Sequence, residues 1–199
     1  MEMFNLFPTA VAFSKFERDL TEEELAFLKN QDKKPNTGNT TSADRKILEH
    51  TLMKDIRAAI QKAIDEYIQE VYCPAFDVNL QLTQSWLNYS EQGQFHHKHA
   101  HPNSFVSGCF YPQADKNVDK IYFFNDPYQR IKIHSENFNA YNSESWWLPV
   151  GTGDIIIFPS SLTHMVEKVE SPVTRISLSF NTFPVGYIGN DDSLTGLHL

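Results

Sequence analysis

Four histidines fall within six residues in GQFHHKHAHP (93–102): His96, His97, His99 and His101, half of the eight in the chain. Neutral imidazole is the commonest side-chain ligand for transition metals, so such clustering raises the question of a metal site. In an extended strand, residues i and i+2 point the same way. His97, His99 and His101 are therefore expected to share a side, with His96 facing away as a structural or solvated residue. Two imidazoles two residues apart can reach one ion, and the pairs His97–His99 and His99–His101 are both open. Taken alone, the cluster reads better as a solvated polar loop than as a metal site.

A third candidate ligand lies far downstream. GDIIIFPSSLTH (153–164) runs from a turn at Asp154 through an apolar strand to Pro159, then through a polar turn to His164. Asp154 is expected to be a turn residue. His164 begins a strand, and an imidazole there could complete a facial set with two from the cluster, leaving metal positions open. In TRISLSFNTF (174–183), Arg175, Ser177, Ser179 and Asn181 share one face while Ile176, Leu178 and Phe180 share the other. In an ordinary half-buried strand that polar face meets water, which the strand alone favours. In a barrel, Arg175 and Ser177 would lie inside, where a planar guanidinium can hold a carboxylate by two parallel hydrogen bonds.

The elements that must position these residues change period along the chain. LFPTAVAFSKF (6–16) reads as an extended lead-in, and TEEELAFLKN (21–30) as a short helix with capping-box spacing at Thr21 and Glu24. NQDKKPNTGNTTS (30–42) reads as a polar loop. Apolar residues at three- and four-residue spacing from Leu48 to Ile68 predict one long amphipathic helix, or two, over 42–71, stopped by Pro74. From about 77 the signal is β: VNLQLTQSWLNYS, NSFVSGCFY, KIYFFN, RIKIH, SWWLPV, GDIIIFP, THMVEKV and TRISLSFNTF read as strands. The expected fold class is thus mainly β with N-terminal helices (α+β). One domain is expected over 1–199: mainly helical support over 1–74, a β core over 75–185 and a tail over 186–199. The connection 127–145 is either a loop over a binding mouth or a plain solvated loop.

Composition bounds the function. The chain has 199 residues, enough for one sizeable core, and a net charge of −8, which disfavours a nucleic-acid partner. Two cysteines, Cys73 and Cys109, make no disulfide framework, so a cytoplasmic location is expected. No apolar run approaches membrane-spanning length, and MEMFNLFPTAVAF lacks the basic n-region of a signal peptide. An oligomer is compatible with the sequence but nothing in it specifies one.

Together these pieces resemble the Fe(II)- and 2-oxoglutarate-dependent oxygenases. That family has a double-stranded β-helix (jelly-roll, cupin-like) core, a His-x-Asp/Glu…His iron triad and an Arg-x-Ser beyond the last histidine. Here the matching residues are His99-Ala100-His101, His164 and Arg175-Ile176-Ser177. Tyr89, Gly93 and His99 keep the spacing of prolyl-hydroxylase-like members, and Tyr111 stands where those enzymes bring a tyrosine to the cosubstrate. LFPTAV, SWLN, HAHPNSFVSGCFY, GDIIIFPSSLTH and RISLSFNTF echo a subgroup found in marine bacteria and their phages, for which the host cytoplasm would be the location.

The resemblance implies Fe(II) on His99, His101 and His164, with 2-oxoglutarate as cosubstrate and O2 as co-reactant. Arg175, Ser177, Tyr111 and Tyr89 are implied in cosubstrate binding, and Asn88, Asn103 and His97 as possible pocket residues. The implied reaction hydroxylates a C–H bond of a small molecule or peptide side chain, releasing succinate and CO2. Trp86, Trp146 and Trp147 are expected as core or rim aromatics. One departure stands out: His101 occupies the position of the usual carboxylate, so the site keeps a formal charge of +2 rather than +1. The family register selects His101 over His97, which stays an alternative ligand.

Two other classes share the scaffold. Cupin-type dioxygenases or isomerases carry Gly-x5-His-x-His, satisfied by Gly93 to His101, and a second motif matched over 153–164 except for Ser161. Their expected glutamate is missing, since Phe105 and Val106 sit in its place. A non-catalytic binding protein on the same fold is the third reading, supported by the missing carboxylate.

Overall fold

In the computed structural model, which describes residues 1–125 and 133–199, the chain enters through β1 (Ala12–Lys15) and then forms α1 (Glu22–Lys29). The capping box forms as the spacing predicts. Thr21 Oγ1 accepts from the Glu24 amide at 3.1 Å, and Glu24 accepts from the Thr21 amide at 2.8 Å. Arg18 holds the same carboxylate from outside at 2.6 Å.

The polar stretch after α1 is not a loop. It folds into a hairpin, β2 (Lys33–Asn36) and β3 (Asn39–Ser42), turned at Gly38 with φ +89°. Position 38 tolerates no side chain, because a Cβ there would meet the Phe95 carbonyl and ring. The hairpin was illegible because its residues are polar on both faces. What makes it a strand pair is pairing on β4, where Thr40 opposes Tyr89 and Thr41 opposes Asn88.

The helix expected over 42–71 is shorter. Two 3-10 turns, Ile47–Glu49 and Thr51–Met53, precede α2 (Lys54–Tyr72). Leu48 and Leu52 kept a four-residue spacing, yet only Leu48 is buried. α2 ends at Cys73 in the left-handed region, ahead of Pro74. Its Ile56, Ile60, Ile64 and Ile68 stripe is buried, and such side chains contribute roughly 1.5–3 kcal/mol each.

Among the described residues nine strands follow: β4 (Val78–Ser90), β5 (His96–His99), β6 (Val106–Gln113), β7 (Lys120–Phe124), β8 (Ser145–Pro149), β9 (Asp154–Pro159), β10 (His164–Val166), β11 (Arg175–Ile188) and β12 (Leu197–His198). The strand expected at RIKIH falls mostly on residues 126–132, outside the described residues; Ile133 and His134 are not in a strand. Two antiparallel sheets result. The larger runs β1-β9-β6-β11-β4-β3-β2, with β12 beside β11, and the smaller runs β5-β10-β7-β8. This is a double-stranded β-helix, mainly β with N-terminal helices. The first 74 residues supply β1, β2 and β3 to the larger sheet as well as the helices, and residues 186–199 pair through β12.

Period-two alternation divides each central strand between two environments. Ile176, Leu178 and Phe180 of β11, Leu87 and Tyr89 of β4 and Phe110 of β6 join the core beneath α2. The opposite residues point between the sheets. There Ile121, Phe123, Ile156 and Phe158 fill one part with a second apolar cluster. The remaining interior is lined by polar residues and histidines.

Candidate metal centre

The three histidines implied by the family register meet between the sheets. His164 of β10 stands opposite His99 of β5, and His101 lies just past the end of β5, its amide bonded to the Ser160 carbonyl at 2.9 Å. One ring nitrogen from each of His99, His101 and His164 lies within 4.8 Å of the others. Each ring is oriented by an acceptor behind it. His99 Nδ1 faces the His97 carbonyl at 2.8 Å, His101 Nδ1 faces Asn181 Oδ1 at 2.6 Å and His164 Nδ1 faces the Leu162 carbonyl at 3.0 Å. An oxygen acceptor at Nδ1 places the proton there and leaves Nε2 as a lone pair. Burial pushes the pKa of His101 down to about 4 and of His164 down to about 3, and lowers that of His99. All three rings are therefore neutral donors near pH 7. A triad of converging neutral imidazoles fits a borderline divalent cation such as iron.

The outer layer around His101 is deep. Asn181 Oδ1 also accepts from Ser107 Oγ at 2.8 Å, and Ser107 bonds Ser160 at 2.7 Å. Trp86 stacks on the His101 ring, centroids 5.7 Å apart. Asn181 was visible in the sequence only as a member of the polar face of β11. Its role comes from the chain reversal after β5, which no local pattern reveals.

His96 does not face away. From His96 to His99 is three steps in β5, but their partners Val166 and His164 are two steps apart in β10. The extra residue is a bulge, and it breaks the alternation on which the expectation rested. Lys98 takes the outward place, over the Phe124 ring at 4.0 Å. His96 turns in and stacks on His99, centroids 4.7 Å apart, where burial lowers its pKa to about 3. His96, His97 and His99 form a second group whose ring nitrogens lie within 4.8 Å of one another.

A cavity of about 330 Å3 opens beside the triad. Arg175, Ser177 and Tyr111 line it, as do Asn88 and His97. The polar face of β11 thus lies inside, not in solvent. Arg175 is 3% exposed and Tyr111 fully buried. Among the described residues, Arg175 Nε, Tyr111 OH, Asn88 Oδ1 and His97 Nδ1 are buried polar atoms without a hydrogen-bond partner. All four residues line this cavity, and buried polar groups are ordinarily satisfied. Asp119, which no motif announced, lies behind Arg175 at 3.9 Å from Nε, too far for a hydrogen bond. Burial pushes its carboxyl pKa up. The unmet donors Arg175 Nε and Tyr111 OH suit a carboxylate, and the room suits a five-carbon dicarboxylate.

Tyr89, implied in cosubstrate binding, and Asn103, a possible pocket residue, are elsewhere. Tyr89 lies on the opposite face of β4, its hydroxyl donating to the Leu28 carbonyl at 2.6 Å and its ring under Lys33. The one-residue offset from Asn88 decides this. Asn103 is exposed in a turn with φ +55°. Asp154 closes its turn, accepting from the Gly151 amide at 2.8 Å and from Lys15 at 2.9 Å. Trp146 and Trp147 are half-exposed on β8.

The fold is shared with solved oxygenases. A prolyl-4-hydroxylase from Pseudomonas putida superposes with a TM-score of 0.58 at 13% identity, over 87% of this chain and 92% of that one. HygX from Streptomyces hygroscopicus, solved with nickel, 2-oxoglutarate and hygromycin B, gives 0.57 at 12% identity, over 87% and 82%. A 2OG-Fe(II) oxygenase family oxidoreductase from Burkholderia pseudomallei gives 0.54 at 12%, over 81% and 78%. No curated protein matches the chain in sequence. Among the described residues no helix is long and apolar enough to cross a membrane. The family model described as "Putative 2OG-Fe(II) oxygenase" matches residues 84–181, the stretch holding both histidine motifs and the Arg-x-Ser. By that match residues 84–181, the β core of the chain, are similar to the 2OG-Fe(II) oxygenase family.

Proposed function

We propose that this chain is an Fe(II)- and 2-oxoglutarate-dependent dioxygenase that hydroxylates a C–H bond of its substrate. Nε2 of His99, His101 and His164 would hold the iron. When bound, iron and 2-oxoglutarate supply the oxidising power, with succinate and CO2 released and O2 consumed. The protein's part is to bind, orient and exclude water. Arg175 takes the distal carboxylate of the cosubstrate through its guanidinium, helped by the Ser177 and Tyr111 hydroxyls. Asp119 keeps the Arg175 side chain directed toward that end. Trp86 and the His101–Asn181–Ser107 relay hold the second ligand in place.

The observation that carries this reading is the pair of unmet buried donors, Arg175 Nε and Tyr111 OH, in the cavity whose other wall is the triad. A cupin-type dioxygenase working on metal alone would have no use for a buried guanidinium there. Loss of the usual ligand carboxylate's charge is compatible with the reading, because the dianionic cosubstrate neutralises the remaining +2. The test is succinate formation from 2-oxoglutarate in air with Fe(II) and ascorbate, which proceeds slowly even without primary substrate. Succinate above the metal-free control, abolished in Arg175→Gln, supports the assignment. Equal succinate with and without protein refutes it.

A further inference from the structure

The wall of the cavity farthest along the larger sheet comes from outside the family core. Asn36 and Thr41 of the β2–β3 hairpin, and Arg45 just after it, line the cavity together with Gln84 of β4. Arg45 is exposed, but it is not a free-swinging surface chain. Its carbonyl accepts from the Ser85 amide at 2.8 Å, and Lys46 forms a parallel bridge with Ser85. Its guanidinium is held too: Nη1 donates to Thr41 Oγ1 at 2.9 Å, and that hydroxyl donates on to the Leu87 carbonyl at 2.9 Å. Among the described residues no carboxylate pairs with Arg45, whereas Arg18 has two carboxylate partners and Arg175 faces Asp119. Its remaining N–H donors are therefore uncommitted in a fixed frame.

The charge around the cavity is one-sided. Among the described residues no Asp or Glu lines the cavity, although the chain carries a net charge of −8. The acidic surplus has been kept off this one concave surface. With the metal and the dianionic cosubstrate cancelling, with the second ligand a neutral imidazole instead of a carboxylate, and with Asp119 offsetting at most Arg175, Arg45 leaves the filled site positive. A field of that sign concentrates anions and disfavours cationic substrates.

We propose that Arg45, steadied by Thr41 and flanked by Asn36 and Gln84, is the anchoring subsite for a carboxylate on the primary substrate, so that the chain oxidises a small organic acid. The assignment rests on the oxygenase reading, since the subsite matters only with metal and cosubstrate in place. Arg45 touches the substrate's carboxylate and not the reacting carbon, so it selects and orients. Planar bidentate pairing is what a guanidinium offers over an ammonium, so Lys would restore attraction with less fidelity.

The test uses the full chain loaded with Co(II) and saturated with N-oxalylglycine, so that no turnover occurs. Binding of α-amino and α-hydroxy acids is compared by calorimetry with binding of their own carboxamides. The expected result is that at least one acid binds about tenfold or more tightly than its amide. In Arg45→Gln that preference collapses towards unity, and in Arg45→Lys part of it returns. Amides binding as well as acids, no acid binding at all, or a preference that survives Arg45→Gln each overturn the proposal. So does an equal fall in N-oxalylglycine affinity in Arg45→Gln, which would place Arg45 in the cosubstrate pocket. Failure of N-oxalylglycine to bind the Co(II)-loaded wild-type chain is a different result: it removes the oxygenase reading, and the subsite falls with it.

Discussion

The Nε2 atoms of His101 and His164 face each other at 3.3 Å, on rings whose Nδ1 atoms are each turned to an oxygen acceptor. Two neutral imidazole lone pairs repel at that distance unless a cation lies within reach of both. His99 brings a third nitrogen to the same point. The arrangement is costly for an empty protein and favourable for a metalloprotein, which is the sense in which these residues fit iron.

The residue behind His101 offers a check on that account. Replacing Asn181 by Leu removes the acceptor that fixes the His101 tautomer, and losses of this kind cost about 10- to 100-fold in metal affinity. Asn181→Asp keeps an acceptor and is expected to keep most of the affinity. Competition of Co(II) or Ni(II) against a chromophoric chelator measures both variants.

Cosubstrate binding separates from metal binding at Arg175. Arg175→Gln loses charge-assisted hydrogen bonds worth roughly 1.5–3 kcal/mol each, so 2-oxoglutarate affinity is expected to fall by about 100-fold. Metal affinity should change less than about threefold, because Arg175 contributes no ligand. Arg175→Lys should fall between the two. Calorimetry of 2-oxoglutarate into anaerobic Fe(II) protein reads the first, and chelator competition the second.

Helix α1 gives a pH prediction far from the metal. The Arg18 guanidinium, with help from the Thr21 amide, holds the Glu24 carboxyl below its ordinary range. A carboxyl lowered in the folded state contributes stability above its unfolded pKa and loses it as pH falls through the folded value. Glu24→Gln is expected to cost about 1 kcal/mol at pH 7, discounted because Arg18 is 39% exposed. The difference from wild type should shrink as pH drops below the normal glutamate range. Urea denaturation at pH 7 and pH 4 decides it.

The close approach of β6 to its neighbours gives a packing prediction. A Cβ on Gly108 would strike the Ile156 carbonyl and the Phe180 ring. Gly108→Ala is expected to lower stability by about 1–3 kcal/mol through overpacking. Thermal denaturation of the metal-free protein measures this.

Much of this site was legible because strand alternation is strict where strands are regular. Arg175, Ser177 and Asn181 could be grouped from β11 alone, and the choice between water and interior needed only the family spacing. Local irregularity hid the rest. A single bulge in β5 turned His96 inward, and a one-residue difference in β4 separated Asn88, in the cavity, from Tyr89, in the core. The β2–β3 hairpin carries no hydrophobic signature because it is an edge pair whose strand character comes from pairing on β4. Arg45 reaches the cavity, and Asp119 the far side of Arg175, through tertiary packing, and neither belongs to a motif.

The central claim, that one metal sits on His99, His101 and His164 with 2-oxoglutarate beside it, is tested most directly by anaerobic spectroscopic titration. Fe(II) protein titrated with 2-oxoglutarate should develop a metal-to-ligand charge-transfer band in the visible. The band should persist in His96→Ala and His97→Ala, and disappear in His99→Ala, His101→Ala and His164→Ala. No band in the wild-type chain, or a band that survives His101→Ala and is lost in His97→Ala, would contradict it.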